Sequence, residues 1–199
     1  MIQLQHRTGY IPLILASASP RRTELLRLLV QDFESQPAEI DESPRPSETA
    51  AALVERLALE KAQVASRSRP EALVIGADTV VVLEGEVLGK PLNGEQAQGM
   101  LTRLSGRTHE VLTGVSLAYG GQAEIATAQT QVTFSHLSDR EIRDYVATGE
   151  PLDKAGAYGI QGYGSRFVEK VDGCYFNVVG LPVSLLYRML KRTGFRFHG

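Results

Sequence analysis

One long apolar segment, residues 72–83, constrains the fold of this chain more than any other feature, because it contains a single charged side chain, Asp78. Its valines and isoleucine predict a buried strand. A carboxylate buried there without a partner would cost several kcal/mol. Gly76 and Ala77 precede it and leave room for another group to approach. We therefore interpret Asp78 as a metal ligand or a general base; the alternative, an Asp that caps a turn at a strand end, fits poorly with the apolar residues that follow.

Strands and helices are mixed along the rest of the chain, which predicts an α/β protein. Apolar runs predict strands over residues 11–16, 86–88, 108–119 and 122–134, and a hairpin that joins residues 166–171 to 174–179. Capping signals and apolar periodicity predict helices over residues 20–29, 47–66, 93–104, 138–149 and 182–192. The hairpins favour a mixed sheet over a purely parallel one. We expect one domain, residues 1–199, in which residues 1–11 are a loose extension.

The composition excludes several classes of function. With 21 Lys and Arg against 23 Asp and Glu, the net charge is −2, and the chain lacks the basic excess of a general nucleic-acid-binding protein. A single cysteine, Cys174, excludes a disulfide framework and a cysteine-rich metal site. The sequence offers neither an apolar run of the roughly 20 residues that span a bilayer nor a signal peptide in residues 1–10. We therefore expect a cytoplasmic protein that binds no membrane.

A polar cluster follows the first predicted strand, where residues 17–22 read SASPRR. Ser19 is suited to be the N-cap of the next helix, so Arg21 and Arg22 lie in its first turn, where the helix dipole disfavours cations. Together with Ser17 and the free backbone amides, these guanidinium groups would hold a polyphosphate well. The alternative is a pair of solvated arginines on a surface helix.

Two lysines and an acidic residue add to this pattern, although only five of the cations are lysines. Lys61 lies four residues after Leu57 and so on the apolar stripe of its helix, either as a side chain that snorkels at the edge of the stripe or as a cation that reaches into a cleft. Lys90 precedes a proline, which holds it at a fixed point, and a plain surface lysine is the alternative. Glu42 lies in an acidic run that is either solvated or able to assist Asp78 with a cation.

A glycine-rich segment, residues 153–164, reads DKAGAYGIQGYG. Its glycines permit close backbone approach to a ligand, and the amide of Gln161 could read the edge of a base; a flexible loop is the alternative. Across the chain, the cations suit phosphate and the carboxylates suit Mg²⁺ and water. This combination is typical of a hydrolase of phosphate esters or phosphoanhydrides.

Motifs in a fixed order then point to a family. The chain resembles the Maf (septum-formation) family of nucleoside triphosphate pyrophosphatases over nearly its whole length. The matching segments are LILASASPRR at residues 13–22, RLALEKA at 56–62, IGADTVVVLEGEVLGKP at 75–91, LSGRTHEVLTGV at 104–115, PLDKAGAYGIQGYG at 151–164 and VVGLP at 178–182. Several motifs in this order are far more specific than any one glycine pattern.

The resemblance implies a fold similar to that of the inosine-triphosphate pyrophosphatases, with a mixed, curved sheet, flanking helices and two lobes around a deep cleft. It implies hydrolysis of a nucleoside triphosphate between the α and β phosphates and a requirement for a divalent cation, Mg²⁺ or Mn²⁺. The implied proton acceptor is Asp78, which also binds the metal together with Glu42. The phosphate-contacting positions of the family match Ser17, Arg21, Arg22, Lys61 and Lys90. A homodimer is implied by analogy alone.

Three positions, Arg21, Thr79 and Gln161, match the branch of the family that prefers dTTP and UTP. The branch that acts on 7-methyl-GTP has Trp at the first position, Gln at the second and Glu at the third. We therefore predict a dTTP/UTP pyrophosphatase in which Gln161 and the glycine-rich segment read the pyrimidine. The alternatives are a pyrophosphatase for 7-methyl-GTP or another modified nucleotide, and a nucleotide-binding regulator of cell division without turnover.

Overall fold

The computed structural model describes residues 2–4 and 11–197. The strands are β1 (Leu13–Leu15), β2 (Glu34–Ser35), β3 (Leu73–Leu83), β4 (Glu86–Leu88), β5 (Thr108–Tyr119), β6 (Gln122–Phe134) and β7 (Val168–Asp172). The helices are α1 (Pro20–Arg27), α2 (Ala50–Ser68), α3 (Gly94–Leu104), α4 (Asp139–Ala147), α5 (Tyr175–Val179) and α6 (Val183–Thr193). Short 3₁₀ turns lie between α4 and β7, at Glu150–Asp153, Ala155–Ala157 and Gly162–Phe167. Within the described residues, no helix is long and apolar enough to cross a membrane.

The strands lie in one mixed sheet. Their order is β2-β1-β3-β5-β6-β7, and β4 pairs with β3. β1 runs parallel to β2 and to β3, and Ile14 lies opposite Val74. The β3–β4 hairpin and the pairing of β6 with β7 are antiparallel. The predicted α/β class with a mixed sheet is therefore confirmed.

The described residues form two compact units. The first contains the residues up to Asp78, Thr113–Ala128 and the residues from Gly180 onwards, and aliphatic side chains of β1, α2 and β3 contribute to its core. The second contains Thr79–Leu112 and Gln129–Val179, and buried aromatic rings contribute to its core. The assignment of the whole chain to a single domain stays a prediction.

Helix α2 lies directly against the sheet in the first unit, and two glycines allow this contact. A Cβ atom at Gly76 of β3 would lie 2.1 Å from the carbonyl oxygen of Ala58, and one at Gly114 of β5 would lie 2.3 Å from that of Val54. A side chain at either position would therefore push the helix away. The prediction that Gly76 leaves room for another group is confirmed, and the group is the backbone of α2.

The chain after β7 differs from the predicted hairpin. Residues 174–179 do not return as a strand, because residues 175–179 form the helix α5, and β7 pairs with β6 instead. The amide of Cys174 donates to Thr130 Oγ1 at 3.0 Å, and its carbonyl accepts from the amide of Asn177 at 3.1 Å, which begins the helical turn. Asn177 is fully buried and donates to Val111 O at 2.9 Å. Periodicity alone does not distinguish a short apolar strand from a short buried helix, so the prediction was wrong here.

The start of the chain also differs from the expected loose extension. Ile2 and Leu4 are buried, and the amide of Leu4 donates to the carbonyl of Thr193, the last residue of α6, at 3.0 Å. The expectation therefore does not hold for residues 2–4. Met1 and residues 5–10 lie outside the described residues.

Candidate active site

Three side chains of the first unit form an ion-paired cluster that consists of Glu42, Lys61 and Asp78. The Nζ of Lys61 lies 2.7 Å from Asp78 Oδ1 and 2.7 Å from Glu42 Oε1. Lys61 and Asp78 are 7% and 8% exposed, whereas the side chain of Glu42 is 55% exposed. The structure thus brings together the predicted base, its acidic neighbour and one of the lysines predicted to contact phosphate.

The local sequence explains why Asp78 and Lys61 meet. Gly76 and Asp78 lie two residues apart on β3 and so share one face of the strand, and Gly76 is where α2 approaches. Ala58 and Lys61 lie three residues apart on α2 and so share one side of the helix. The close approach at Gly76 therefore sets the distance that Lys61 must span. The pairing also offsets part of the cost expected of a lone buried carboxylate, because the two opposite charges attract each other at short range.

A second polar group stands at the start of α1. Ser19 caps this helix, as predicted, and its Oγ accepts from the amide of Arg22 at 3.4 Å. The guanidinium of Arg22 donates to Gly180 O at 2.9 Å through Nε and to Ser17 Oγ at 3.4 Å through Nη1. Arg22 is therefore anchored by protein groups and is not a solvated surface arginine. The carbonyl of Gly180 was not identified as a partner from the sequence, although it lies in the matching VVGLP segment.

The charges of the ion-paired cluster also influence the pKa of Arg22. Burial lowers the pKa of Arg22, the charges of Asp78 and Glu42 raise it, and the charge of Arg21 lowers it. The guanidinium stays protonated at neutral pH, because arginine does not lose its proton in proteins. Arg21 is half-buried on the same first turn of α1. An anion at the start of α1 would therefore meet concentrated positive charge close to Asp78.

The loop that carries Glu42 is exposed over residues 41–47, and polar contacts with α2 fasten it. Arg56 of α2 donates through Nη2 to Ser43 O at 3.0 Å and through Nε to Glu48 Oε1 at 2.6 Å. Sequence reasoning missed Arg56 and Glu48, because charged residues on a helix and just before it usually form a solvated face. The position of Arg56 within the matching RLALEKA segment was the only available signal.

The remaining predicted site residues, Thr79, Lys90 and Gln161, belong to the second unit. Thr79 is half-buried on β3, whereas Lys90 and Gln161 are exposed. The amide of Gly156 donates to the carbonyl of Gly89 at 3.0 Å. The structure therefore brings the glycine-rich segment next to the residue that precedes Lys90.

The glycine-rich segment forms 3₁₀ turns that Glu150 holds in place. The carboxylate of Glu150 accepts from Tyr145 OH at 2.9 Å and from the amides of Tyr163 and Gly164 at 2.9 and 3.1 Å. Tyr145 OH in turn accepts from the amide of Gly159 at 3.2 Å. Burial raises the pKa of Glu150, but these hydrogen bonds and a nearby lysine outweigh it and leave the pKa below its usual range. The carboxylate therefore stays charged at neutral pH and keeps its three donors.

A buried histidine, His109 of β5, supports the same segment. Its Nε2 lies 2.8 Å from Tyr158 OH, and its ring makes edge-on contacts with Phe134 and Tyr158. Burial lowers the pKa of His109 to about 4 and raises the pKa of Tyr158. Both groups are uncharged at neutral pH, so this pair is a structural contact of the second unit.

Asp78 and Glu42 are the oxygen donors that a divalent cation would meet in the first unit. In the part of the chain that the structure describes, no group of three His, Cys, Asp or Glu side chains is placed to hold a metal ion. Mg²⁺ usually takes one or two protein carboxylates and completes its coordination with substrate phosphates and water. Two carboxylates that converge on Lys61 therefore fit a cation that binds together with a nucleotide.

Comparisons with known proteins give the chain relatives over nearly all of its length. A family model described as "Maf-like protein" matches residues 12–193. A protein of Syntrophomonas wolfei named dTTP/UTP pyrophosphatase is 52% identical over 182 residues, which cover 90% of this chain and 96% of that protein. A protein of Myxococcus xanthus with the same name is 54% identical over 182 residues, which cover 92% of each chain.

Solved structures agree on the fold. The structure of a HAM1 protein from Coxiella burnetii matches with a TM-score of 0.55 over 92% of this chain and 100% of that chain, at 16% sequence identity. The Ham1 protein of Staphylococcus aureus matches with a TM-score of 0.50 over 79% of each chain, at 14% identity. Identities this low show the fold alone, and they confirm the expected mixed α/β sheet with flanking helices.

Proposed function

The chain belongs to the Maf-like protein family, and from that premise we propose that it hydrolyses dTTP and UTP to the nucleoside monophosphate and pyrophosphate. Relatives that are 51–54% identical to it are named dTTP/UTP pyrophosphatase. The structural observation that carries the proposal is the buried carboxylate of Asp78, which Lys61 holds at 2.7 Å beside Glu42. General-base catalysis requires a carboxylate that is positioned within hydrogen-bond reach of the proton it abstracts, and this pairing fixes the orientation of Asp78.

In this proposal Asp78 activates the attacking water. Lys61 fixes one carboxylate oxygen, and the other accepts a proton from a water molecule as that water attacks the α-phosphorus. The bond that breaks joins the α-phosphorus to the oxygen that bridges to the β-phosphate. Pyrophosphate leaves with that oxygen, and the water oxygen stays on the nucleoside monophosphate.

The proposed triphosphate contacts are cationic and hydroxyl groups. Negative charge gathers on the pyrophosphate as it leaves, and nearby cations lower the barrier by stabilising that charge. Arg22 is already anchored by Gly180 and Ser17, so its side chain needs little rearrangement when the substrate binds. The full set of proposed phosphate contacts is Ser17, Arg21, Arg22, Lys61 and Lys90.

We propose that Asp78 and Glu42 hold the divalent cation, Mg²⁺ or Mn²⁺. When bound, the cation supplies positive charge that polarises the phosphate and the attacking water. Lys61 keeps an oxygen of each carboxylate within 2.7 Å of its own Nζ, so the two donors converge on one place. Because the side chain of Glu42 is largely exposed, it is the more adjustable of the two.

Base selection is proposed for Gln161 and Thr79. The carboxamide of Gln161 offers both a donor and an acceptor, which suits the alternating edge of a pyrimidine. The network around Glu150 fixes the backbone on either side of Gln161, which would restrict the positions that its side chain can reach. Homodimer formation rests on the family resemblance, and a cytoplasmic location rests on the sequence analysis; both stay predictions.

A nucleotide panel tests the proposed function. The purified protein is incubated with Mg²⁺ or Mn²⁺ and with dTTP, UTP, CTP, GTP or 7-methyl-GTP, and pyrophosphate and monophosphate are measured together. We expect equal amounts of the two products and the highest kcat/KM for dTTP and UTP. A higher kcat/KM for 7-methyl-GTP would contradict the proposed substrate, and nucleotide binding without pyrophosphate release would contradict the proposed reaction.

A further inference from the structure

The polar network around Arg56 contacts the loop that carries Glu42. We propose that Arg56 is a positioning residue that holds residues 41–48 on α2 so that Glu42 reaches Lys61. The inference rests on the proposed role of Glu42 as a metal ligand. It goes further because it assigns the placement of that carboxylate to a side chain that would touch neither the nucleotide nor the cation.

Arg56 binds the loop through two of its nitrogens, and a third contacts α2 itself. Nε and Nη2 lie 2.6 and 2.9 Å from the two carboxylate oxygens of Glu48, and Nη2 also donates to the carbonyl of Ser43 at 3.0 Å. Nη1 lies 3.3 Å from Glu60 on the next turn of α2. The Arg56 and Glu48 side chains are only 12% and 9% exposed. A planar guanidinium can make this set of bonds at once, whereas an ammonium group cannot.

The pairing of Arg56 with Glu48 also holds the rest of the loop, through Arg45. The second oxygen of Glu48 accepts from the amide of Arg45 at 2.9 Å, and the side chain of Arg45 reaches back to Glu60 at 2.9 Å. Hydrogen bonds from Arg56 and from the Arg45 amide lower the pKa of Glu48 to about 2. Glu48 therefore stays charged at neutral pH and keeps its pairing with Arg56. We call this Arg56–Glu48 pairing the clamp.

Glu42 lies between Asp41 and Ser43, which are hydrogen-bonded to each other. Ser43, the next residue, is bound to Arg56 through its carbonyl, and its amide donates to Asp41 Oδ1 at 2.9 Å. Residues 41–47 are exposed, so little apolar burial exists to hold them in one conformation. The polar contacts of Arg56 and Glu48 therefore fix the backbone at Glu42.

Both ends of this arrangement belong to one rigid element. Arg56 and Lys61 lie on the same helix, less than two turns apart. Arg56 fastens the loop, and Lys61 receives the Glu42 carboxylate at 2.7 Å. Because α2 fixes the spacing of the two cations, loosening the clamp at Arg56 moves Glu42 relative to Lys61 and Asp78.

A purely structural role for Arg56 is the competing explanation, and the chain contains a matched control for it. Arg69, which directly follows α2, also pairs with two glutamates: Glu34 at 2.7 and 3.3 Å and Glu71 at 2.8 Å. This second clamp lies at the opposite end of the helix from the Glu42 loop. Arg56→Lys and Arg69→Lys each remove a guanidinium that pairs with two glutamates, although the Arg69 pairs are more exposed, and only the first adjoins Glu42.

The experiment compares these two variants in three ways. Hydrogen exchange of the Ser43 and Arg45 amides measures the stability of the loop. Mn²⁺ titration in the presence of dTMP, followed by electron paramagnetic resonance, measures the affinity of the metal site. The Mg²⁺ dependence of dTTP turnover measures catalysis. For Arg56→Lys we expect faster exchange of both amides, and Mn²⁺ affinity and kcat/KM about tenfold lower, the range typical when a group that orients a ligand is lost. Raising Mg²⁺ should restore part of the activity. Arg69→Lys should leave all three readouts at wild-type values.

Equal behaviour of the two variants in amide exchange and Mn²⁺ affinity would overturn the proposal. If Arg56→Lys does not fold, Glu48→Gln opens the same clamp with a side chain of unchanged shape and is expected to give the same three changes. The first two readouts need no turnover. A wild-type protein that fails to hydrolyse dTTP but shows both changes in Arg56→Lys would therefore refute the proposed function and leave the role of Arg56 supported.

Discussion

The ion-paired cluster and the glycine-rich segment are fixed in place by different kinds of contact. The cluster joins a long strand and a long helix, and the close approach at Gly76 sets the distance between them. The glycine-rich segment has only short 3₁₀ turns, and a carboxylate and a phenol hold its backbone amides. Packing of regular elements places Asp78, whereas side-chain hydrogen bonds place Gln161. Perturbations of the two regions should therefore differ in size and in kind.

The largest effect is expected from Lys61→Met, which leaves Asp78 buried without its partner. Breaking one side of a buried ion pair costs about 3–5 kcal/mol in the free energy of unfolding. Urea unfolding measures this loss. The control is the double variant with Asp78→Asn, which should regain most of the stability and none of the activity. If Lys61→Met alone were as stable as the double variant, the pair would not be the buried contact described above.

Gly76→Ala should also damage the cluster, because the added Cβ would lie 2.1 Å from the carbonyl of Ala58. We expect a loss of about 3 kcal/mol in unfolding free energy, at the upper end of the usual cost of overpacking. Gly99→Ala is the matched control, since no atom lies within 4 Å of its added Cβ, and α3 should gain stability there. Equal effects of the two substitutions would contradict the account of how α2 meets the sheet.

The second region should make stability depend on pH through His109. Its pKa is about 4 in the folded protein and 6.5 ordinarily, so between these values the unfolded chain binds a proton that the folded chain does not. Stability therefore falls as the pH falls from 6.5 to 4, by up to about 3 kcal/mol. Urea unfolding across this range measures the slope. His109→Gln should flatten it, and an unchanged slope in that variant would assign the effect to other groups.

Tyr145→Phe should give the smallest effect, because it removes one hydroxyl and keeps the buried ring. The bonds to Glu150 and to the amide of Gly159 are lost, which should cost about 1–2 kcal/mol. If the loosened segment holds the base of the nucleotide less well, KM for dTTP rises while kcat is retained. The exposed Tyr187→Phe serves as control, and a fall in kcat at constant KM would argue against a role in base positioning.

The same contrast explains how far the sequence could predict the molecule. Asp78 and Lys61 stand out because each breaks the apolar pattern of a regular element, and such violations are readable from a single sequence. Gly76 was readable for the same reason. Arg56, Glu48 and Glu150 break no pattern, since charged residues on a helix or just outside its ends are ordinary, and their partners are set by loops that fold around them.

The two wrong predictions, at residues 174–179 and 2–4, have one physical cause: contacts between residues that are far apart in the sequence. Residues 174–179 read as a strand, but the bonds among Cys174, Thr130 and Asn177 turn them into a helix that buries a polar side chain. Contacts between distant parts of the chain favour this helix, and the local periodicity of the sequence does not reveal such contacts. Residues 2–4 were also misjudged, because their burial depends on contacts near the end of α6.

The central claim, that Asp78 is the base of a dTTP pyrophosphatase, is tested most directly by pyrophosphate release from dTTP in Asp78→Asn. The control is Asp144→Asn, which changes an exposed Asp in a surface pair with Arg140. We predict that Asp78→Asn lowers kcat by at least about a hundredfold, the lower range for a general base, while Asp144→Asn keeps wild-type turnover. Wild-type turnover by folded Asp78→Asn would contradict the account.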